Sequence, residues 1–344
     1  MKILLTGGLG YIGAHVCTLL QSRGYRVVIV DNLVNSSKQM LRQLLAIDSK
    51  NPPILELLDI TNTKDLEKLF QQHDDLSGVI HFAALKSVNQ SIQKPLKYYH
   101  NNIIGLIELL KVVEARSLPL IFSSSCTVYG QSDVLPITEN QPFKPSYSPY
   151  GFTKQMGEQI IKDTTSTNEQ FKAMSLRYFN PIGAHDSALI GQWPINEPEN
   201  LVPYITQVAI GKRKELKIFG DQYDTPDGSC VRDYIHVMDL AEAHLLGLEY
   251  LWSSKSNYYV FNVGLGEGVS VKRLVKRFEE VTKISINHRI TNPREGDVPI
   301  AYAEASKIQT QLGWIPKYSI DEALLSAWKW EQYLDSSGLS IDST

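Results

Sequence analysis

A chain of 344 residues with 43% hydrophobic and 21% charged side chains is long enough to bury a sizeable core and has the balance of a globular enzyme. Its formal net charge of -3 leaves no basic footprint for nucleic acid or an acidic membrane, and no apolar run approaches the ~20 residues of a membrane span. Three widely spaced cysteines, Cys17, Cys126 and Cys230, set up neither a disulfide framework nor a thiolate zinc site, which points to a reducing, cytoplasmic setting.

Lys2–Thr6 is a short apolar run that stops at Gly7-Gly8-Leu9-Gly10-Tyr11-Ile12-Gly13, beyond which an amphipathic pattern continues through Leu20. The start meets glycine too soon to leave room for the apolar region of a signal peptide. Strand, glycine turn and helix in that order make a dinucleotide cradle. The glycines permit a tight turn, close approach of backbone to a pyrophosphate and close helix-to-strand packing, with the anion at the helix N-terminus. A second strand over 25–30 ends at Asp31, near the offset of roughly 20 residues at which a carboxylate accepts the adenosine ribose hydroxyls. A carboxylate there repels a 2′-phosphate, so the pattern favours NAD over NADP.

The alternation continues with a helix over 37–47, a strand over 53–57, Asp59-Ile60, a helix over 64–72 and an apolar strand over 78–82. Repeated β-α-β units predict an α/β fold of Rossmann type, a doubly wound parallel sheet covered by helices on both faces, with ligands at the strand ends. Ala83-Ala84 lies at one such end, and a long helix over 95–114 carries Asn101. A strand over 118–122 runs into Ser123-Ser124-Ser125-Cys126-Thr127, whose hydroxyls can bond a substrate oxygen or simply cap their own turn. A loop rich in Pro, Ser and Tyr then leads to Tyr150-Gly151-Phe152-Thr153-Lys154. One helical turn apart, a phenol and an ammonium project from one face and can reach one small molecule; the cation is expected to lower the phenol's pKa from its usual ~10. A lone pair of this spacing is as readily an exposed surface pair, so its context decides.

A strand over 171–178 precedes Phe179-Asn180-Pro181, where the regular alternation lapses. The boundaries expected are a dinucleotide-binding domain over 1–180, a smaller α/β region over 181–335 that mainly binds substrate, and a tail over 336–344. Within the second region the pattern predicts helices over 200–210 and 239–250, and a strand over 216–219. A strand and helix lie within 258–281, another strand over 284–290, and closing helices over 305–312 and 320–333. The eight histidines show no H-x-x-x-H spacing, so no metal is expected.

Taken together, the nucleotide turn with its acid, the hydroxyl cluster and Tyr-x-x-x-Lys resemble the extended short-chain dehydrogenase/reductase family, and within it the UDP-hexose 4-epimerases. The similarity runs from Met1 to about Trp330. It is carried by residues 6–13, 30–33, 81–86 (His-Phe-Ala-Ala-Leu-Lys), 122–130, 176–181 (Leu-Arg-Tyr-Phe-Asn-Pro), 231–240 and 294–297 (Arg-Glu-Gly-Asp). The resemblance implies that Tyr150 is the base, that Lys154 bonds the nicotinamide ribose, and that Ser125 bridges substrate and phenol. It implies further that Gly7, Gly10, Tyr11, Ile12, Gly13, Asp31, Asn32, Asp59, Ile60, Phe82, Ala83, Lys86, Asn101 and Tyr178 hold NAD. The UDP-sugar falls to Ser125, Asn180, Asn200, Leu201, Lys217, Phe219, Arg232, Arg294, Asp297 and Ala301, with Lys86 and Tyr150 shared between the two ligands. Two arginines suit a diphosphate, although acidic neighbours also allow them to be surface ion-pair residues.

The implied reaction interconverts UDP-glucose and UDP-galactose through a transient 4-keto sugar, and the implied assembly is a homodimer formed by the 95–114 and 150–163 helices. Ala301 stands where relatives confined to unsubstituted hexoses resemble one another in carrying tyrosine, which implies room for the 2-acetamido group of UDP-N-acetylglucosamine and UDP-N-acetylgalactosamine. A UDP-uronate 4-epimerase and a dinucleotide sensor without catalysis remain open. A 4,6-dehydratase fits less well, because Ser125-Cys126-Thr127 lacks the acid pair that such enzymes place after the serine cluster.

Overall fold

The computed structural model describes residues 1–294 and 296–339. The first part alternates β1 (Lys2–Thr6), α1 (Tyr11–Ser22), β2 (Arg26–Asp31), α2 (Lys38–Ile47), β3 (Ile54–Leu57), α3 (Thr63–Gln72) and β4 (Leu76–His81). Then come α4 (Val88–Gln93), α5 (Pro95–Tyr99), α6 (Gly105–Ala115), β5 (Leu120–Ser125), α7 (Pro149–Thr167) and β6 (Ala173–Tyr178). These strands and β10 (Tyr258–Val263) form one parallel sheet of seven, in the order β10-β6-β5-β4-β1-β2-β3. The doubly wound architecture read from the sequence is therefore present.

Period-two alternation distributes each central strand between two cores. On β1, Ile3 and Leu5 join a cluster with Val16 and Leu20 of α1, whereas Leu4 faces Phe70, Leu106 and Ile161 on the opposite side. A strand buried on both faces reads as an unbroken apolar run, and all five residues of β1 are buried. The strand order reverses at β1, which lies between β2 and β4. Such a reversal opens a crevice beyond the strand ends, and Gly7 and Phe82 stand at its two lips.

Beyond β6 the chain forms β7 (Asn180–Ile182), α8 (Leu201–Ala209), β8 (Leu216–Phe219), β9 (Val231–His236), α9 (Val237–Ser253), β11 (Gly268–Ser270) and α10 (Val271–Thr282). It closes with β12 (His288–Thr291), β13 (Ile300–Ala301), α11 (Ser306–Leu312) and α12 (Ile320–Ser337). Strand β9 pairs with β7, β11 and β13, while β8 pairs with β12, over a third core that includes Ile205, Leu274, Phe278 and Trp328. Residues beyond 180 also return to the large sheet: β10 extends it at one edge, and Leu240, Ala241, Leu245 and Leu248 of α9 join the core on which α1 packs. The two regions thus share one sheet and one core.

Three expectations need correction. The helix expected over 95–114 runs on to Ala115 but widens to a π turn at His100–Ile104, which re-aims Asn101 and Asn102. The strand expected over 284–290 forms instead at His288–Thr291, where three of the four residues are exposed; Ile284 and Ile286 pack on the third core without joining a sheet. Residues 336 and 337, expected as tail, are helical. Ser319 and Glu322 form a capping box that starts α12, the helix continues to Ser337, and Gly338 ends it at φ 64°. Leu339 packs against Trp330 and Leu334, and 340–344 lie outside the described residues.

Candidate active site

At the end of β1 the Gly7 amide donates to Val30 O at 2.7 Å, and Gly10 N donates to Gly7 O at 3.0 Å, closing the turn. Gly7 has φ 70°, and a Cβ there would lie 2.7 Å from Ala83 N. A Cβ on Gly13 would lie 2.6 Å from Gly7 O. Only glycine fits either place. Helix α1 starts from Gly10 with no side-chain cap and no acid in its first turn, leaving its N-terminal amides unsatisfied by the chain.

Asp31 is buried at the end of β2, where its carboxylate accepts from Leu9 N (3.1 Å), Leu33 N (2.9 Å) and Ser36 Oγ (2.6 Å). That occupies three of roughly four acceptor sites and fixes the glycine loop to β2. Asn32 donates to Asp59 at 3.0 Å. Burial works against the Asp59 charge, but bonds from Thr61 and Asn32 outweigh it and hold the carboxyl below its usual range. An uncapped helix start, a turn with no Cβ and a carboxylate with one acceptor site to spare fit a dinucleotide, and two carboxylates at this end disfavour a 2′-phosphate.

The reactive groups meet at the end of β5. Ser148 caps α7 by accepting from Gly151 N at 3.1 Å, and Pro149 occupies the first helical position, so Tyr150 is held in the first turn. Lys154 is buried on the same face. Its Nζ donates to Ser123 O at 2.5 Å, 4.8 Å from the Phe122 ring centre and 5.9 Å from that of Tyr150. Ser125 Oγ accepts from Thr127 N and Oγ1 at 3.2 and 3.0 Å, and its hydroxyl favours the charged form of the Tyr150 phenol.

The electrostatics differ from the sequence expectation. Burial pushes the Tyr150 phenol up to about 12, with Ser125 opposing, and pulls Lys154 down to about 7, with Glu158 opposing. In the chain alone desolvation outweighs the attraction between the pair. Tyr178 completes this wall, held at 2.5 Å by His244, whose Nδ1–H donates to Leu240 O so that Nε2 accepts from the phenol. Phe82 packs on the same imidazole at 4.9 Å.

The opposite wall comes from the second region. The Arg294 guanidinium lies 3.9 Å over the Phe219 ring, and Lys217 shares the exposed face of β8. Arg232 on β9 faces Asp297 at 3.7 Å and pairs across the strands with Ala301 on β13. Cys126, next to Ser125, feels the charge of Arg232, so the two walls face one another. Asn180 sits on β7 opposite Tyr234, beside Arg232 on β9. Asn200 and Leu201 start α8, and Glu199 just before them bonds Ser87, tying this segment to the loop of Lys86. Burial lowers the Lys86 ammonium pKa, and Glu199 opposes that shift. Glu295 lies outside the described residues.

Asn102 escaped the sequence reading. Its carboxamide accepts from Leu85 N (2.8 Å) and Asn101 (2.9 Å) and donates to Leu85 O (3.0 Å) and Thr153 Oγ1 (3.1 Å). Thr153 in turn donates to Tyr150 O at 2.7 Å. One buried side chain therefore joins the Ala83–Lys86 loop, the π turn and the Tyr150 helix. The doubled Asn101-Asn102, just before the apolar Ile103-Ile104, was the available signal.

A doubly wound sheet with this glycine turn, and with Ser125, Tyr150 and Lys154 gathered beyond its strand ends, defines an extended short-chain dehydrogenase/reductase. The chain matches the GDP-mannose 4,6 dehydratase family over residues 4–326. It is 45% identical to a UDP-glucose 4-epimerase of Yersinia enterocolitica, over 96% of this chain and 98% of that protein. Its fold superposes on the Stenotrophomonas maltophila UDP-glucose 4-epimerase, crystallised with NAD and formylated UDP-arabinopyranose, with a TM-score of 0.94 at 41% identity, covering 98% of this chain and 99% of that one. The Bifidobacterium longum enzyme, in complex with NAD+ and UDP, gives 0.93 at 40% identity over 98% and 100% of the two chains. The chain belongs to the UDP-glucose 4-epimerase family.

Proposed function

We propose that the protein is a UDP-hexose 4-epimerase that interconverts UDP-glucose and UDP-galactose with a resident NAD, and that it also accepts the 2-acetamido sugars. The observation that carries this is the phenol, ammonium and hydroxyl of Tyr150, Lys154 and Ser125 facing a wall with two arginines and an aromatic ring. Bound NAD would take a hydride from the sugar's C4 and return it to the other face, and its positive ring would favour the phenolate. Tyr150 takes the proton of the 4-hydroxyl and gives it back, with Ser125 bonding both oxygens. Lys154 spends one donor on Ser123 O and turns the others toward the nicotinamide ribose. Gly7 to Gly13 hold the pyrophosphate, Asp31 the adenosine ribose, and Asn32, Asp59, Ile60, Phe82, Ala83, Lys86, Asn101 and Tyr178 line the remainder of the cofactor site.

Arg232 and Arg294 grip the diphosphate, with Asn180, Asn200, Leu201, Lys217, Phe219 and Asp297 around the nucleoside. A firm hold on the nucleotide leaves the hexose free to present either face. In domain terms, residues 1–180 serve chiefly NAD and 181–335 chiefly the UDP-sugar. The test is incubation of purified protein, with no NAD added, with UDP-galactose and with UDP-N-acetylgalactosamine. Conversion of both is expected. Conversion of neither, even with NAD supplied, overturns the reading.

A homodimer and a cytoplasmic location complete the proposal. Leu96 is 81% exposed, Ile92 56% and Phe152 46%, and Ile104 is also exposed, so the 88–104 segment and α7 carry an apolar face. A second copy meeting it through the same helices buries that face around a two-fold axis. Leu96→Glu is expected to give a monomer by light scattering; an unchanged mass would exclude this interface. The three cysteines are free, as a reducing compartment requires, and no helix among the described residues is long and apolar enough to cross a membrane.

A further inference from the structure

Helix α7 presents Tyr150, Lys154 and Glu158 at intervals of four residues on one face, and each meets a different serine of β5. Tyr150 is influenced by the Ser125 hydroxyl, Lys154 donates to Ser123 O at 2.5 Å, and Glu158 Oε1 accepts from Ser124 Oγ at 2.5 Å. The proposed chemistry uses the first two contacts and leaves the third without a role. Glu158 is 3% exposed and is gripped by Arg177 of β6 through three contacts, Nε at 2.9 and 3.2 Å and Nη2 at 2.6 Å. Arg177 is the register partner of Ser124 in the sheet. It also donates to Tyr129 OH at 2.8 Å, and its guanidinium lies 4.8 Å over the Tyr129 ring and 5.0 Å over Phe143. The helix approaches closely at this level, since a Cβ on Gly157 would lie 2.7 Å from the Phe122 ring.

We infer that the Ser124–Glu158–Arg177 cluster is a positioning device that sets the axial register of α7 against β5, and so the placement of Tyr150 and Lys154 over Ser125 and Ser123. Physical reasoning separates this from a stabilising role. A buried ion pair is weak evidence for stability, because desolvation consumes most of its attraction and an apolar pair of similar volume commonly serves as well. Its forked geometry, by contrast, fixes direction and distance, and an error of about 1 Å at a reacting group costs up to ~100-fold in rate. Glu158 also stands one turn beyond Lys154 and favours its ammonium against burial. Of the other titratable groups around it, His81 on β4 feels its charge and the Tyr150 ring on its own helix lies 5.9 Å away, while Arg177 on β6 pairs with Glu158 and Tyr178 on β6 interacts with Tyr150.

This inference rests on the epimerase reading for its turnover assay. The variants are Glu158→Gln, which keeps shape and loses charge, and the double substitution Glu158→Met with Arg177→Met, which replaces the pair by apolar groups. The double variant is expected to keep a near-native melting temperature yet lose roughly 10–100-fold in kcat with KM within about threefold. Glu158→Gln is expected to shift the alkaline limb of kcat to lower pH, since Lys154 loses the carboxylate that favours its charged form. Release of resident NAD, which needs no sugar, is expected to quicken about tenfold in both, as the ammonium's bond to the ribose is misplaced. A stable double variant with native kcat and native NAD release overturns the inference. Absent turnover in the unsubstituted protein would instead sink the epimerase reading, while the NAD-release ratio still judges the cluster.

Discussion

Tyr150→Phe removes a single oxygen and is expected to lower turnover of UDP-galactose by roughly 10²–10⁴-fold, the usual worth of a positioned acid/base. The fold should be untouched, because α7 starts from the Ser148 cap and Pro149, and the backbone oxygen of Tyr150 that binds Thr153 is retained. NAD content and UDP affinity should therefore stay within about twofold of the parent, so the loss falls on kcat rather than KM. The pH dependence has a definite sign. Burial raises the phenol to about 12, so in the chain alone it stays protonated at neutral pH and cannot act as a base. Turnover must then rise with pH as the phenolate is populated in the loaded enzyme. It must fall again where Lys154, pulled down by burial to about 7 in the chain alone, loses the charge that favours that phenolate. Stopped-flow or endpoint assays across pH 5 to 10 (a span of roughly neutral pH ± 2–3) would show both limbs. If Tyr150→Phe keeps more than about a tenth of the parent rate, the proton is handled elsewhere.

The parts of this molecule that were legible in its sequence are those set by local spacing. Gly7, Gly10 and Gly13 announce a turn with no room for Cβ, and the contacts such atoms would make with Ala83 N and Gly7 O show why. The end of β2 at Asp31 and the one-turn offset of Tyr150 and Lys154 are equally local. Long-range placement was not legible. That β10 and α9 return to the first sheet depends on pairing between Tyr258–Val263 and Ala173–Tyr178, which no window of sequence contains. The balance between charge and burial at Tyr150 is hidden from the sequence for the same reason, since the desolvation that dominates it depends on the packed fold. Asn102 and Glu158 look like ordinary polar positions on helices until Leu85, Ser124 and Arg177 are brought against them. Residues 336 and 337 read as tail because they are polar, yet they continue a capped helix whose inner face is buried.

Substrate range gives the other large effect. Ala301→Tyr is expected to depress turnover of UDP-N-acetylgalactosamine by roughly 10–100-fold, equivalent to ~1–3 kcal/mol of overpacking, while UDP-galactose turnover changes by less than about threefold. Ala301 lies on β13 directly across from Arg232 on β9, and it is partly buried against the core beneath the cleft. Its methyl therefore lies beside Arg232, which the proposed reading assigns to the diphosphate. Arg232 donates to Val231 O at 2.9 Å and faces Asp297, two contacts that oppose its swinging aside for a larger neighbour. A phenol ring at 301 must instead extend into the space where a hexose bound through that diphosphate would place its substituents. An unsubstituted 2-hydroxyl leaves that ring room, whereas an acetamido group competes with it for the same volume. The comparison is internal: both sugars are assayed on one preparation, and the ratio of their kcat/KM values is the readout, so any general loss of folding cancels. An equal fall for both sugars would mean that the ring disturbs Arg232 and not the sugar pocket. An unchanged ratio would move the determinant of acetamido acceptance away from β13 altogether.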